Sequence, residues 1–271
     1  MRPLIGTSTK MNLTSSEAGS YFDALLPRLV GATGCDLFVL PPFTSIWVAR
    51  ERLSGSPIAW GGQDVHPAES GAHTGDVSAA MLVDLGCTYV EVGHSERRRG
   101  YGETDGLVAA KVAQILQHGM TPILCVGEPR KEAPEAAIDY VLGQVARGLA
   151  HVRPSDLARV VIAYEPVWAI GLGSVTAPPD HVAAVHRAVR RWLNRTGTDG
   201  GGIVTAPRVI YGGSVDGTTA DELLGADAVD GLFVGRAALD PVQFEVIVGA
   251  GQRRAAGSRL KEAPTSTSAH G

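Results

Sequence analysis

Eight short apolar runs punctuate the chain, with longer segments of helical period between them. The runs are Pro3–Gly6, Asp36–Leu40, Ile58–Gly61, Tyr89–Gly93, Pro122–Val126, Val160–Tyr164, Arg208–Tyr211 and Gly231–Val234. Each is too short for a helix and carries β-branched or aromatic residues, so each reads as a strand. Ser16–Leu29, Leu107–His118, Ala136–Leu149 and Asp180–Asn194 read as helices. In the second of these, Leu107, Ala110, Lys111, Gln114, Ile115 and His118 show the mixed spacing of an amphipathic face. Strands fed by crossover helices pair in parallel with right-handed connections. Eight of them, with no linker or composition shift between halves, favour a closed (β/α)8 barrel over an open doubly wound sheet. The fold class is therefore α/β, with residues 1–250 as one barrel domain.

Two polar stretches stand outside this alternation. Thr196–Ala206, with three glycines at 200–202, follows a helix and precedes a strand, which puts it on the barrel end away from catalysis. Gly251–Gly271 is rich in Gly, Ser, Thr, Ala and charge, and reads as a disordered tail. With 24 basic and 28 acidic residues the formal charge is −4, so no basic balance points to a nucleic acid. An anionic substrate must then be held by local groups. Cys35, Cys87 and Cys125 are an odd count in apolar runs and read as reduced thiols of a cytoplasmic protein. The first residues break too early for a signal peptide, and no segment has the apolar length of a membrane span. The 34 glycines are the surplus to explain.

Active sites of such barrels lie at the C-terminal ends of the strands. There the sequence places Lys10, the run Gly93-His94-Ser95-Glu96-Arg97, Glu165, and the turns Gly212-Gly213-Ser214 and Gly235-Arg236. Glu165 ends an apolar strand, where partial desolvation raises a carboxylate's proton affinity and suits it to general-base work. A neutral His94 can donate a hydrogen bond to a developing enediolate oxygen. Lys10 offers a compact charge for a phosphate dianion. The glycine turns offer backbone N–H groups to phosphate oxygens. Taken singly, each has a plainer reading: a rim glutamate, a core histidine, a surface lysine, an ordinary turn. Their convergence on one face is what carries the chemistry. His66, His73, His181 and His186 form no ligand motif, so no metal is expected, and proton transfer of this kind calls for no organic cofactor. Small residues from Ala169 to Ser174, directly after Glu165, read as a hinged lid.

Five segments together resemble the triosephosphate isomerase family: Lys10-Met11-Asn12, Gly93 to Arg98, Cys125 to Glu128, Ala163 to Gly171, and Tyr211 to Val215. The resemblance runs from about Leu4 to Val248 and implies a TIM barrel. It makes Glu165 the proton-abstracting base, His94 the electrophile and Lys10 the electrostatic anchor, a pairing of carboxylate and neutral imidazole known for this family. It also implies phosphate binding by Gly171, Ser214, Gly235 and the Arg236 backbone, with Glu96 supporting Lys10 from behind. Gly71 to Asp76 resembles the family's interdigitating loop, so a homodimer through the loop around Thr74 is expected, although His73 replaces the usual aromatic.

Three places depart from the family pattern. Ser8 and Thr9 stand where the family has Asn and Trp before the lysine; Leu172 and Ser174 alter the lid; Arg236 replaces a glycine. Losing the Asn amide leaves Ser8 beside the substrate and changes the space around it. The Gly6-Thr7-Ser8 opening and Gly235-Arg236 resemble a branch that isomerises L-erythrulose 1-phosphate to D-erythrulose 4-phosphate in tetritol catabolism. That reaction is the first expectation. The alternative is triosephosphate isomerase activity itself, and a non-catalytic phosphosugar-binding barrel is the remote one.

Overall fold

The computed structural model describes residues 1–32, 34–171, 176–198 and 207–262. Eight parallel strands close into a barrel in sequence order: β1 (Leu4–Ser8), β2 (Asp36–Leu40), β3 (Ile58–Gly62), β4 (Tyr89–Val92), β5 (Thr121–Val126), β6 (Val161–Tyr164), β7 (Arg208–Tyr211) and β8 (Gly231–Val234). Closure is by β1 on β8, with Leu4 opposite Gly231 and Thr7 opposite Val234. The helices around it are α1 (Ser15–Leu29), α2 (Ile46–Leu53), α3 (Ala79–Asp84), α4 (Ser95–Tyr101), α5 (Asp105–Gln117), α6 (Pro134–Gly148), α7 (Pro179–Thr198), α8 (Ala220–Gly225) and α9 (Pro241–Glu262).

Successive residues of a strand point to opposite faces, and here both faces are buried. Ile5, Val39, Val90, Val92, Leu124, Ile162, Val209 and Leu232 pack outward against the helices. Leu4, Phe38, Leu40, Ile123, Cys125, Val161, Ala163, Ile210 and Phe233 fill the interior, with Tyr89 packed against them. The Phe38 ring stacks on Tyr89 at 5.0 Å between centroids and lies 5.4 Å from Phe233, which plugs the barrel floor. Continuing the inward alternation past these layers carries Ser8, Glu91, Glu165, Gly212 and Gly235 to one end of the barrel. That end is where the chemistry collects.

The tail boundary expected at residue 251 falls inside a helix. α9 continues through it to Glu262, because small residues there pack instead of large ones. A Cβ on Gly251 would stand 2.4 Å from Ile5 Cδ1 and 2.7 Å from Cys35 Sγ, so glycine lets α9 lie directly on β1. Ala255 is buried, Arg254 donates to the Val229 carbonyl and Arg253 pairs with Asp221 at 2.7 Å. Residues 263–271 lie outside the described residues, as do 199–206 of the polar stretch before β7.

The inward face of α5 also differs from expectation. Val108, Ala109, Lys111, Val112, Ile115 and Leu116 are the buried set, while Leu107 is exposed. Lys111 enters the core because Asp64 and Glu103 meet its ammonium at 2.7 and 2.6 Å. Arg97 joins the same acids, at 2.8 Å from Asp64 and 2.6 Å from Glu103.

Candidate active site

One cavity of about 760 Å³ opens at the C-terminal end of the strands. Its lining includes Ser8, Lys10, Glu91, His94, Glu96 and Glu165, together with Gly171, Ser214, Gly235 and Arg236. All nine residues expected at the site from the sequence therefore face it; Glu91 was not among them.

Lys10 follows β1 with a left-handed backbone, φ 54°, which a side-chain-bearing residue adopts only when its surroundings impose it. The Gln63 amide nitrogen imposes it here, donating to the carbonyls of Lys10 at 3.1 Å and Leu40 at 2.9 Å. Lys10 Nζ then bonds Glu96 Oε1 at 2.7 Å. Burial pulls the ammonium pKa down, but the bond to Glu96 and the charges of Glu96, Glu165 and Glu91 outweigh it, and the net shift is upward. Lys10 is thus a fixed cation at the cavity wall.

His94 caps α4, and its Nδ1 accepts the Glu96 backbone N–H at 3.1 Å. With Nδ1 an acceptor, the neutral ring carries its proton on Nε2. Burial first, then the Lys10 charge, lower the His94 pKa to about 4. The imidazole is therefore neutral near pH 7 and presents Nε2–H to the cavity, 3.4 Å from Glu165 Oε2.

Glu165 follows β6 and is buried, its backbone N–H bonded to the Val126 carbonyl at 2.7 Å. Among the described residues its Oε2 has no hydrogen-bond partner. An ionised oxygen left this way is poorly stabilised and avid for a proton. Burial, and then the Glu91 charge, raise the Glu165 pKa well above the carboxylate range, with Lys10 opposing. Gly212 makes room for this side chain: a Cβ there would meet Glu165 Cγ at 2.7 Å. Its N–H is already spent on the Tyr164 carbonyl at 2.8 Å. The first glycine of that turn therefore serves the base, not the phosphate cradle expected of it.

The segments after β6, β7 and β8 are tied together across the expected lid. Tyr211 Oη accepts the Ala177 N–H at 3.2 Å, Thr176 Oγ1 donates to the Ser214 carbonyl at 2.9 Å, and Arg236 Nη2 donates to the Gly171 carbonyl at 2.9 Å. The Arg236 side chain thus braces the lid's stem. On the near side, Trp168 Nε1 donates to Glu128 Oε1 at 2.7 Å and Tyr164 Oη reaches the same carboxylate at 3.1 Å. Lid residues 172–175 lie outside the described residues. Gly235 has open space where a Cβ would be, so among the described residues nothing crowds its backbone there.

Glu91 is the residue sequence reasoning passed over. It sits mid-strand on β4, points inward, and is buried. Burial drives its pKa up, while a bond from the Ser8 hydroxyl and the Lys10 charge hold it down. One atom each from Glu91, His94 and Glu165 lie within 4.8 Å of one another, as do atoms of His66, His73 and Asp76. Either trio has donor types that suit a metal ion. In each, however, one histidine Nδ1 accepts a backbone N–H, from Glu96 for His94 and from Ala68 at 3.1 Å for His66. That leaves the proton, rather than a lone pair, on Nε2.

The family model for triosephosphate isomerase matches residues 3–251. The chain belongs to the triosephosphate isomerase family. It is 44% identical over 248 residues to the triosephosphate isomerase of Roseiflexus sp. (strain RS-1), covering 91% of this chain and 96% of that protein. It is 45% identical over 244 residues to that of Thermus thermophilus, covering 90% and 96%. The crystal structure of triosephosphate isomerase from Bartonella henselae superposes with a TM-score of 0.79 at 32% identity, covering 92% of this chain and 99% of that one. As a family member the protein is an isomerase on a TIM barrel, as expected from the sequence. Among the described residues, no helix is long and apolar enough to cross a membrane.

Proposed function

We propose that the protein interconverts dihydroxyacetone phosphate and D-glyceraldehyde 3-phosphate, without metal or organic cofactor. The observation that carries this is the unbonded Oε2 of Glu165 facing the Nε2–H of a neutral His94. The relatives' shared name supplies the substrate pair and reverses the order of preference drawn from the sequence, which put the tetrulose phosphate first. The phosphate sits against Gly171, Ser214 and Gly235, and the reacting carbons lie between Glu165 and His94. Glu165 removes the proton from the hydroxymethyl carbon beside the carbonyl. The C–H electron pair becomes the C=C bond of a cis-enediolate, and the carbonyl π pair moves onto oxygen. His94 Nε2–H and Lys10 stabilise that oxygen. Return of the proton from Glu165 to the neighbouring carbon, with the hydroxyl proton relayed between the two oxygens through His94, gives the aldehyde.

A second reading, isomerisation of L-erythrulose 1-phosphate to D-erythrulose 4-phosphate, is supported by the polar pair Ser8 and Glu91 in the cavity. The chemistry is the same, with one more hydroxymethyl group to house. Comparing kcat/KM for the two substrates tests both readings. A preference of tenfold or more for the triose supports the first, and the opposite preference replaces it with the second.

We further propose a cytoplasmic homodimer. Met11, Phe43, Trp47 and Tyr101 are exposed, on segments following β1, β2 and β4 at the same barrel end as the exposed 71–76 loop after β3. A second copy covers such a face best. Light scattering at twice the monomer mass is the expected result.

A further inference from the structure

The proton transfer needs one base, one electrophile and one cation, and Glu165, His94 and Lys10 fill those roles. Glu91 is left over. A carboxylate on the inner face of a barrel strand, one layer above the Phe38–Tyr89 floor, is costly to bury. Among the described residues its hydrogen-bond donors are the Ser8 hydroxyl and the Cys125 thiol, the latter at 3.8 Å. A carboxylate has about four acceptor sites, so this one has acceptor capacity to spare. It also borders the cavity.

Its position decides what it faces. The substrate's phosphate is held on the side of Gly171, Ser214 and Gly235, and its reacting carbons lie between Glu165 and His94. A substrate extended by one carbon beyond the enediol grows away from the phosphate, toward β4, where Glu91 stands across the barrel from β8 and takes the Ser8 hydroxyl's hydrogen bond. We propose that Glu91, with Ser8 beside it, is a specificity-determining subsite that accepts a hydrogen bond from the distal hydroxyl of a four-carbon ketose phosphate. When the subsite is empty, Lys10 offsets its charge and the Ser8 hydroxyl donates to it. The distal hydroxyl supplies a further donor when it is filled. This assignment rests on the second reading above, that a tetrulose phosphate is turned over.

The test is a cycle of two deletions, one in the enzyme and one in the substrate. L-Erythrulose 1-phosphate is compared with its 4-deoxy analogue, in which a methyl group replaces the hydroxymethyl, on wild type, Glu91→Gln and Glu91→Leu. In wild type the analogue is expected to lose about 10- to 100-fold in kcat/KM, the weight of a hydrogen bond to a charged acceptor. In Glu91→Leu the two substrates become equal to within about threefold, with Glu91→Gln between. Should the leucine variant not fold, the wild-type pair and the isosteric glutamine variant still decide. Equal kcat/KM for the two substrates in wild type, or the same discrimination in every variant, overturns the role of Glu91 and leaves the tetrulose reading standing. A wild-type enzyme with no turnover of L-erythrulose 1-phosphate overturns that reading and this inference together.

Discussion

His94 Nε2 stands 3.4 Å from Glu165 Oε2, while the Nδ1 of the same ring accepts the Glu96 backbone N–H at 3.1 Å. The ring is thereby fixed as a donor toward the cavity, and the carboxylate is left as the group able to take a proton. Glu165→Gln keeps the shape and removes the base. Its kcat is expected to fall by about 10²- to 10⁴-fold, the usual weight of a general base, with an unchanged circular dichroism spectrum. The pH profile follows from the same geometry. The base works deprotonated and its pKa is raised by burial and by Glu91. Activity should therefore fall with acidification at a pH above the ordinary carboxylate value of about 4.3. His94, lowered to about 4, stays neutral through that limb. A limb in the ordinary range, or near-wild-type turnover in Glu165→Gln, contradicts the assignment.

One of the ties on the lid's stem is a phenol. Tyr211 Oη accepts the Ala177 N–H at 3.2 Å, just past the segment that follows the base. Tyr211→Phe removes that acceptor and leaves a buried N–H unpaired. A net hydrogen bond weighs about 0.5–1.5 kcal/mol, so KM for the phosphate substrate should rise about two- to tenfold. Steady-state kinetics at fixed pH measures it. An unchanged KM and kcat would show that this bond does not hold the stem.

Lys111 ties α5 to Asp64 and Glu103 inside the protein. Lys111→Met removes the cation and leaves two buried carboxylates facing each other. Breaking a buried pair from one side costs about 3–5 kcal/mol, although Arg97, which also meets both acids, offsets part of it. Urea denaturation should show the midpoint falling at constant slope, with kcat per folded molecule near wild type. A loss under about 1 kcal/mol would mean that Arg97 suffices alone.

Much of the barrel was legible because strand periodicity is local. β2, β7 and β8 begin and end where the apolar runs do. Glu165 and His94 were legible because they end such runs. What escaped was set by partners distant in sequence. Lys111 reads as polar surface until Asp64 is brought to it. Residues 251–262 read as tail until Gly251 meets Ile5 and Cys35 on the barrel. Glu91 hid inside a run read as an apolar strand. Its signal was present, since a charged residue at an inward position of a strand buried on both faces must be balanced or used. Seeing that required the register, which places Glu91 with Tyr89 on the inner face.

Glu91 should also mark the protein's stability. Its folded-state pKa is raised from 4.5 to about 7, by burial first, while Ser8 and Lys10 oppose and the Glu96 and Asp64 charges add to the rise. His94 and Glu165 face it across the cavity. A group raised on folding binds its proton more tightly in the folded state. Its contribution is therefore fully present below about pH 4.5 and lost as pH climbs through about 7. Glu91→Gln has no such proton to lose. The variant should melt a few degrees above wild type at pH 8, with the gap closing toward pH 5, a trade of stability for function common at active sites. Calorimetric Tm across that range is the measurement. A gap that stays constant with pH, or widens toward pH 5, would mean that Glu91 is not a strained buried acid.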